Sequence, residues 1–357
     1  MVVVGAGVIG LACAWRAAQR GLEVLVVDRE APAAGATGVA AGMLAPIGEL
    51  AFGEQRLLEM TTASAGLYPD FIAELEAASG SETHYRRCGA LHVALDRDEA
   101  AELRRRHRLQ RSLGLEAEWL TPGRCRALEP GLSPTIAGGV HAPGEAAIDP
   151  RALCAALLEA LEREGAEVRS RAEVCEALIE DGRIEGVRTA DGAQLRARQV
   201  VLASGCWAGS ADWLPAAVRP EVRPVKGQIL TLRGPADDPV CGRIVASERV
   251  YVVPREDGRL VVGATVEERG FDTTVTAGGV YELLREAYRL LPEIAELELV
   301  DAAAGLRPAT ADNLPLVGPG ALKGLVLATG HYRNGVLLAP LTALQVTEAL
   351  AAAEVAA

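Results

Sequence analysis

The sequence is short of aromatic residues, of histidine and of paired cysteine. Phe, Tyr and Trp together make up 4% of its 357 residues, which leaves few platforms on which bases could stack. Lys and Arg number 36 against 48 Asp and Glu, for a net charge of −12. A basic face for nucleic acid is therefore not expected. The five histidines form no metal pair at helical spacing. The seven cysteines (Cys13, Cys88, Cys125, Cys154, Cys175, Cys206 and Cys241) are scattered, odd in number and without a CxxC. That argues against a zinc site and against a secreted disulfide framework, and no metal is expected.

A membrane-spanning run is also missing from the reading. Met1 to Trp15 is apolar, but it has no basic leader and falls short of the roughly 18–20 residues that cross a bilayer. No later stretch is read as long enough to span. A cytoplasmic protein without a membrane partner is expected. Half of the residues are apolar, so a sizeable core is available, and the length fits about two domains.

Those N-terminal glycines belong to a different pattern. Val2-Val3-Val4 reads as a buried strand running into Gly5-Ala6-Gly7-Val8-Ile9-Gly10. An Ala-rich helix follows to Arg20, Gly21 ends it, and a second strand, Leu22 to Val27, ends at Asp28. A GxGxxG alone is weak evidence; with strand, helix, second strand and terminal acid it reads as a dinucleotide-binding turn. Gly5 permits the turn, Gly7 admits the pyrophosphate, and Gly10 lets helix and strand pack closely. The helix N-terminus offers free N–H groups and positive dipole to phosphate. Asp28 is placed to accept ribose hydroxyls, which disfavours a 2′-phosphate and leaves NAD or FAD.

Residues 29–46 are rich in Ala and Gly and nearly free of charge. They read equally as a segment that lets backbone approach a flat ring, with Thr37 as a hydroxyl, or as a tightly packed helix start. Helices are expected over 54–80, 98–113 and 150–164, the last with Asp149 as N-cap and Pro150 at its first position. The run Arg104-Arg105-Arg106-His107-Arg108 reads as a solvated helix face. Residues 221–300 alternate, as in Gln228-Ile229-Leu230-Thr231-Leu232 and Arg249-Val250-Tyr251-Val252-Val253, and predict an antiparallel sheet. The fold class expected is α/β combined with α+β. A discontinuous Rossmann-like domain (1–80, 145–220 and 300–357) carries an inserted antiparallel-sheet domain (81–144 and 221–299).

Two segments near the C-terminus each place an arginine between apolar runs: Gly305-Leu306-Arg307-Pro308 and Gly330-His331-Tyr332-Arg333-Asn334-Gly335. The second leads into an apolar helix, Leu341 to Ala352. Two guanidinium forks can grip one carboxylate, and either arginine alone could equally form a structural ion pair. His331 alone reads more readily as a packed histidine, and Tyr251 alone as a strand residue.

Taken together these motifs resemble the FAD-dependent D-amino acid oxidase superfamily, and within it the glycine oxidases of bacterial thiamine biosynthesis. The carriers are Gly5 to Gly10, Ala40 to Pro46, Arg223-Pro224-Val225-Lys226-Gly227-Gln228, Val250 to Arg255, and the two arginine segments. They occur in family order over nearly the whole chain. The resemblance implies an FAD-binding domain and an inserted substrate-binding domain. It implies that Gly5, Gly7, Val8, Ile9 and Gly10 form the nucleotide turn, with Asp28 and Arg29 at the adenosine ribose. Ala36, Thr37, Ala41, Gly42, Met43 and Val174 would line non-covalent FAD. The loop His331, Tyr332, Arg333, Asn334, Gly335, Val336 and Leu337 would hug the flavin ring. Arg307 and Arg333 would bind the substrate carboxylate, and Tyr251 would close over it. Arg249 and Val266 stand where a histidine and a methionine occur in some relatives.

The activity implied is oxidation of glycine, sarcosine or small D-amino acids by hydride transfer from Cα to flavin N5. Molecular oxygen would be the second substrate, hydrogen peroxide a product, and a homotetramer the assembly by analogy. A dehydrogenase of the same superfamily that passes electrons to a quinone or carrier is the alternative. A sarcosine-oxidase-like enzyme is disfavoured, because no Cys follows Cys241 to hold flavin and Leu260-Val261-Val262-Gly263 contains no Lys. A tRNA-modifying relative is disfavoured by the acidic charge.

Overall fold

The computed structural model describes residues 1–355, with side chains through Ala352. The last two residues of the expected 300–357 segment lie outside the described residues. A six-stranded sheet is built around Val2–Val4, flanked in parallel by Leu25–Val27 on one side and Val200–Leu202 on the other. Glu167–Arg169 and Leu325–Thr329 extend it in parallel, and Leu316–Pro319 closes one edge antiparallel. Strands buried on both faces read as continuous Val and Leu runs, which is why Val2–Val4 shows no alternation.

One face of this sheet packs on the helices Val8–Ala18, Gln55–Ser79, Pro150–Arg163 and Gly335–Val355. Val3, Val26 and Val201 point that way. The other residues, Val2, Val4, Val200 and Leu202, face a three-stranded antiparallel sheet of Val174–Glu180, Arg183–Thr189 and Gln194–Arg196. The Asp149 carboxylate caps Pro150–Arg163 as expected, accepting from Arg151 N at 2.9 Å and Ala152 N at 3.4 Å.

The C-terminal helix, Gly335–Val355, starts six residues before the expected Leu341. Read at full length it is long and apolar enough to cross a membrane, which corrects the expectation that no later stretch could span. Its apolar surface is used inside the protein: Leu338, Ala339, Ala343, Val346 and Leu350 are buried. Pro340 lies within this helix and cannot donate to the carbonyl four residues earlier. Tyr68 OH donates to that carbonyl, Val336 O, at 2.5 Å.

The second unit is an eight-stranded sheet. Its order is Glu298–Ala309, Arg223–Arg233, Arg259–Gly263, Tyr251–Pro254, Ile244–Ala246, Ala90–Ala94, Gly138–Ala142, Glu118–Leu120. All neighbours are antiparallel except one pair, Ile244–Ala246 with Ala90–Ala94, which runs parallel. The purely antiparallel reading is corrected at that joint. It is also where the 81–144 segment meets the 221–299 segment, and no hairpin dictates their direction. A second correction concerns residue 300. Glu298–Ala309 pairs along its whole length with Arg223–Arg233, so the chain leaves the eight-stranded sheet only after Ala309. The helix Ala277–Leu290 covers the outer face through Leu283, Ala287 and Leu290. The inner face, with Ile229, Tyr251 and Ala303, turns toward Ala41 and Ala147 of the first unit.

Candidate active site

A cleft of about 1280 Å³ runs between the two units. At one end lies the glycine turn. Gly5 has φ +115°, a conformation open to glycine, and a Cβ there would press on the backbone of Ala203. A Cβ on Gly10 would collide with the Gly5 carbonyl, so Gly10 is a packing glycine. The helix that follows begins at Gly7 with no side-chain cap and no acidic residue in its first turn. Val8 N is met by Thr37 Oγ1 at 3.2 Å. Asp28 Oδ2 accepts from Ala6 N at 2.7 Å and Oδ1 from Glu30 N at 2.9 Å. These bonds orient the carboxylate and leave it further lone pairs. The Arg29 guanidinium lies 4.3 Å from the ring of Trp207.

The small-residue segment forms a 3₁₀ turn, Ala36–Val39, and a two-residue strand, Met43–Leu44, paired with Ala146–Ala147. Its close approach to the second unit depends on Gly305, where a Cβ would strike Val39, while one on Gly42 would strike Ile148 O within the first unit. Arg255 Nη2 donates to Ala41 O at 2.6 Å across the same junction.

The far end of the cleft is set by the register of the eight-stranded sheet. Gly227 pairs with Gly305 and Val225 with Arg307, so these residues share the inner face. The Arg307 guanidinium lies against Gly227, and its Nη1 donates to Thr265 O at 3.1 Å and Lys226 O at 3.4 Å. Tyr251 pairs with Gly263 and lies over it in the same way. Burial holds the Tyr251 phenol above its ordinary pKa, against the pull of Arg307.

Arg333 comes from the loop before the C-terminal helix. Tyr332 N donates to Pro308 O at 2.7 Å, which ties the two arginine segments together. Arg333 Nη2 lies 3.4 Å from Glu54 Oε2, and its Nε lies 3.8 Å from Glu49 Oε2. His331 is buried, with Nε2 2.9 Å from Thr342 Oγ1, and burial lowers its pKa to about 3.

The cleft brings together Gly5, Gly7, Val8, Ile9, Asp28, Arg29, Ala36, Thr37, Ala41, Gly42, Met43 and Val174 with Tyr251, Arg307, His331, Tyr332, Arg333, Gly335 and Val336. Three expected residues stand off it. Gly10 packs against the turn. Asn334 is buried and begins the C-terminal helix, its carbonyl accepting from Leu338 N at 2.8 Å. Leu337 points into the core, and its carbonyl accepts from Ser64 Oγ at 2.6 Å.

The cleft also holds groups the motifs did not reveal: Glu49, His92, Arg106, Ser204 and Trp207. Arg106 belongs to the basic run read as a solvated face; its neighbour Arg105 lies 4.5 Å from the Phe52 ring, and Arg104 4.3 Å from Trp119. The Arg249 and Val266 positions both line the cleft. Ser204 Oγ is buried there without a hydrogen-bond partner.

Comparison with known proteins gives this geometry a context. Residues 1–349 match the family model described as FAD dependent oxidoreductase. A bifunctional protein ThiO/ThiG from Trichormus variabilis is 37% identical over 351 residues. That alignment covers 98% of this chain and 52% of the relative, so the chain spans about half the length of that protein. A glycine oxidase from Geobacillus kaustophilus is 34% identical over 98% of this chain and 92% of its own. The crystal structure of glycine oxidase from Geobacillus kaustophilus superposes with a TM-score of 0.91 at 34% identity, covering 98% of this chain and 94% of that one.

Proposed function

The chain belongs to the FAD-dependent oxidoreductase family, and from that premise we propose that it oxidises glycine and other small amines with oxygen as electron acceptor. Sarcosine and small D-amino acids fall in the same substrate class. The observation that carries the reading is that Arg307, Arg333 and Tyr251 line the same cleft as the glycine turn and gather about Glu49.

FAD is the family's cofactor, and the residues present fit it. The turn's own glycines carry no side chains where a pyrophosphate would lie, the N-cap Gly7 offers no side-chain cap although Thr37 Oγ1 reaches Val8 N, and Asp28 keeps lone pairs for ribose hydroxyls. Ser204 Oγ is a buried polar atom in want of a partner. The remaining helix N–H groups and positive dipole favour an anion at that point. We read the six-stranded unit as the FAD-binding domain and the eight-stranded sheet as the substrate domain.

Bound in the cleft, FAD supplies the acceptor for a hydride from the substrate Cα. The protein's part is orientation. Arg307 and Arg333 hold the substrate carboxylate through charge-assisted hydrogen bonds, each worth roughly 1.5–3 kcal/mol. Arg307 can do so because its Nη1 is already fixed by two carbonyls and its fork also meets Tyr251, so the guanidinium is held in place. Tyr251, kept protonated by burial, donates to the same carboxylate. His331 is neutral and held by Thr342, so it would add no charge to the flavin's surroundings. The amine leaves as an imine, which hydrolyses to glyoxylate and ammonia or feeds thiazole synthesis; oxygen takes up two electrons and two protons to give hydrogen peroxide. Non-covalent FAD, homotetrameric assembly and a cytoplasmic setting complete the proposal.

The test is an anaerobic visible spectrum of the purified flavoprotein before and after glycine. Bleaching by glycine, with recovery of colour and peroxide in air, supports the reading. Flavin that stays reduced in air favours the dehydrogenase alternative. Oxidised flavin unchanged by glycine, sarcosine and D-alanine overturns the substrate class.

A further inference from the structure

Glu49 is the acidic side chain that faces both proposed carboxylate-binding arginines. It sits in an irregular stretch between Met43–Leu44 and Gln55–Ser79, yet its backbone is held from two directions. Glu145 Oε1 accepts from Ile47 N at 3.0 Å and from Gly48 N at 2.6 Å. Gln110 Nε2 donates to Ile47 O at 3.0 Å. Gly48 lies directly against the His92 ring, where a Cβ would collide.

Held this way, the Glu49 carboxylate lines the cleft. Arg333 faces it from the loop before the C-terminal helix, Arg307 from Glu298–Ala309, and Tyr251 from Tyr251–Pro254. His92 faces it from Ala90–Ala94 and Glu145 from the turn before Ala146–Ala147. Glu54 reaches the same arginine, Arg333. Its nearest charged contact is long, 3.8 Å to Arg333 Nε. Among the described residues no hydrogen bond reaches its carboxylate oxygens, so they remain open to a donor in the cleft.

A small amino acid arrives as a zwitterion, one carboxylate and one ammonium. The site offers the complementary pattern, two guanidinium groups and one unbonded carboxylate. Building on the amine-oxidase reading above, we propose that Glu49 accepts a proton from the substrate ammonium as the substrate carboxylate settles on Arg307 and Arg333. One N–H bond breaks with its electron pair staying on nitrogen, and one O–H bond forms on Glu49. The free lone pair is what assists hydride departure. The proton passes to water when the product leaves, restoring the carboxylate.

Two effects lower the cost of the transfer at the right moment. Burial pushes the Glu49 carboxyl above its ordinary pKa even with Arg333 and Arg307 opposing. The incoming carboxylate then draws on those same cations, so less positive charge is left to hold Glu49 ionised. Substrate binding itself raises the affinity of Glu49 for the proton.

The experiment is anaerobic stopped-flow reduction of the bound flavin by glycine across the pH range, for wild type, Glu49→Gln and Glu49→Asp, with flavin content measured for each. For wild type, the second-order rate constant of reduction stays nearly level from the Glu49 ionisation up to that of the amine. For Glu49→Gln only glycine that is already deprotonated reacts, so the constant falls about tenfold for each pH unit below the amine pKa. Glu49→Asp keeps the level region and moves its acid limb to lower pH. A purely structural role would lower the rates without changing these shapes. A flavin-replete Glu49→Gln enzyme with the wild-type profile overturns the proposal. If Glu49→Gln does not retain flavin, an acid limb that fails to move in Glu49→Asp overturns it. Wild-type flavin that no small amino acid reduces overturns the amine-oxidase reading and this proposal together.

Discussion

Arg307 lies flat across Gly227, and its guanidinium fills the space that a side chain at that position would occupy. The two residues sit on neighbouring antiparallel strands, two residues apart in register and on the same face. The missing Cβ is thus what lets a carboxylate-binding arginine approach the sheet and take its two carbonyl partners.

Gly227→Ala is expected to push Arg307 away from Thr265 O and Lys226 O. The kcat/KM for glycine should fall by about 100-fold, the scale seen when a positioning contact is lost. Arg307→Ala should do comparable damage, and the double variant should be no worse than Arg307→Ala alone, because both changes remove one interaction. Steady-state peroxide assays on the three variants check this; additive losses would mean that Gly227 acts by another route.

Glu54 competes with substrate for Arg333. Its Oε2 lies 3.4 Å from Arg333 Nη2, while its Oε1 accepts from Asn313 Nδ2 at 2.7 Å. Glu54→Gln retains an oxygen for Asn313 and removes the charge. An exposed pair of this kind is worth about 0.2–1 kcal/mol, so the glycine KM should drop about two- to fivefold with kcat unchanged. A KM that rises would show that Glu54 helps to orient Arg333.

Much of the frame was legible because its signals are local. In Val2–Val4 and Val8–Ala18 the apolar pattern changes from continuous to helical across three glycines, and the acid at Asp28 ends the next strand. Arg307 and Arg333 stood out as charges between apolar runs. Three things were not local. The parallel joint between Ala90–Ala94 and Ile244–Ala246 joins segments about 150 residues apart, and neither strand's alternation carries its partner's direction. Glu298–Ala309 was cut at 300 because Ala302, Ala303 and Ala304 are too small to show a strand's two faces. Glu49 had no signal at all, since its place depends on Glu145 and Gln110. The resemblance implies a place in the cleft for Asn334 and Leu337, but Asn334 is buried just ahead of the helix with its carbonyl accepting from Leu338 N, and Leu337 is turned by the helix into the core.

Acid sensitivity should trace in part to His331. It is buried, and its pKa falls from an ordinary 6.5 to about 3. Between those values the unfolded chain binds the proton and the folded chain does not, so stability rises with pH there. The contribution is complete above 6.5 and is lost as pH falls toward 3, at about 1.4 kcal/mol per pH unit. Urea unfolding of wild type and His331→Gln at neutral pH and near pH 5 checks this. The wild type should lose more stability than the variant, by about 2 kcal/mol; equal losses would place the acid sensitivity elsewhere.

The Glu145 carboxylate should prove the anchor of the segment that carries Glu49. It is almost fully buried, and one oxygen accepts from two N–H groups, Ile47 and Gly48. The other lies 3.5 Å from His92 Nε2. Glu145→Ala leaves two N–H donors without an acceptor, at about 1–3 kcal/mol for each such buried group. The variant should lose about 2–6 kcal/mol in urea unfolding by that reckoning. Its KM for glycine should rise about tenfold as Glu49 loses its fixed place. Glu145→Gln keeps an oxygen for both donors and should stay within about 1 kcal/mol of wild type, a neutral acceptor being only modestly weaker than a charged one. Loss of stability in both variants alike would mean that the charge facing His92, rather than the bonds to Ile47 and Gly48, holds this segment against the cleft.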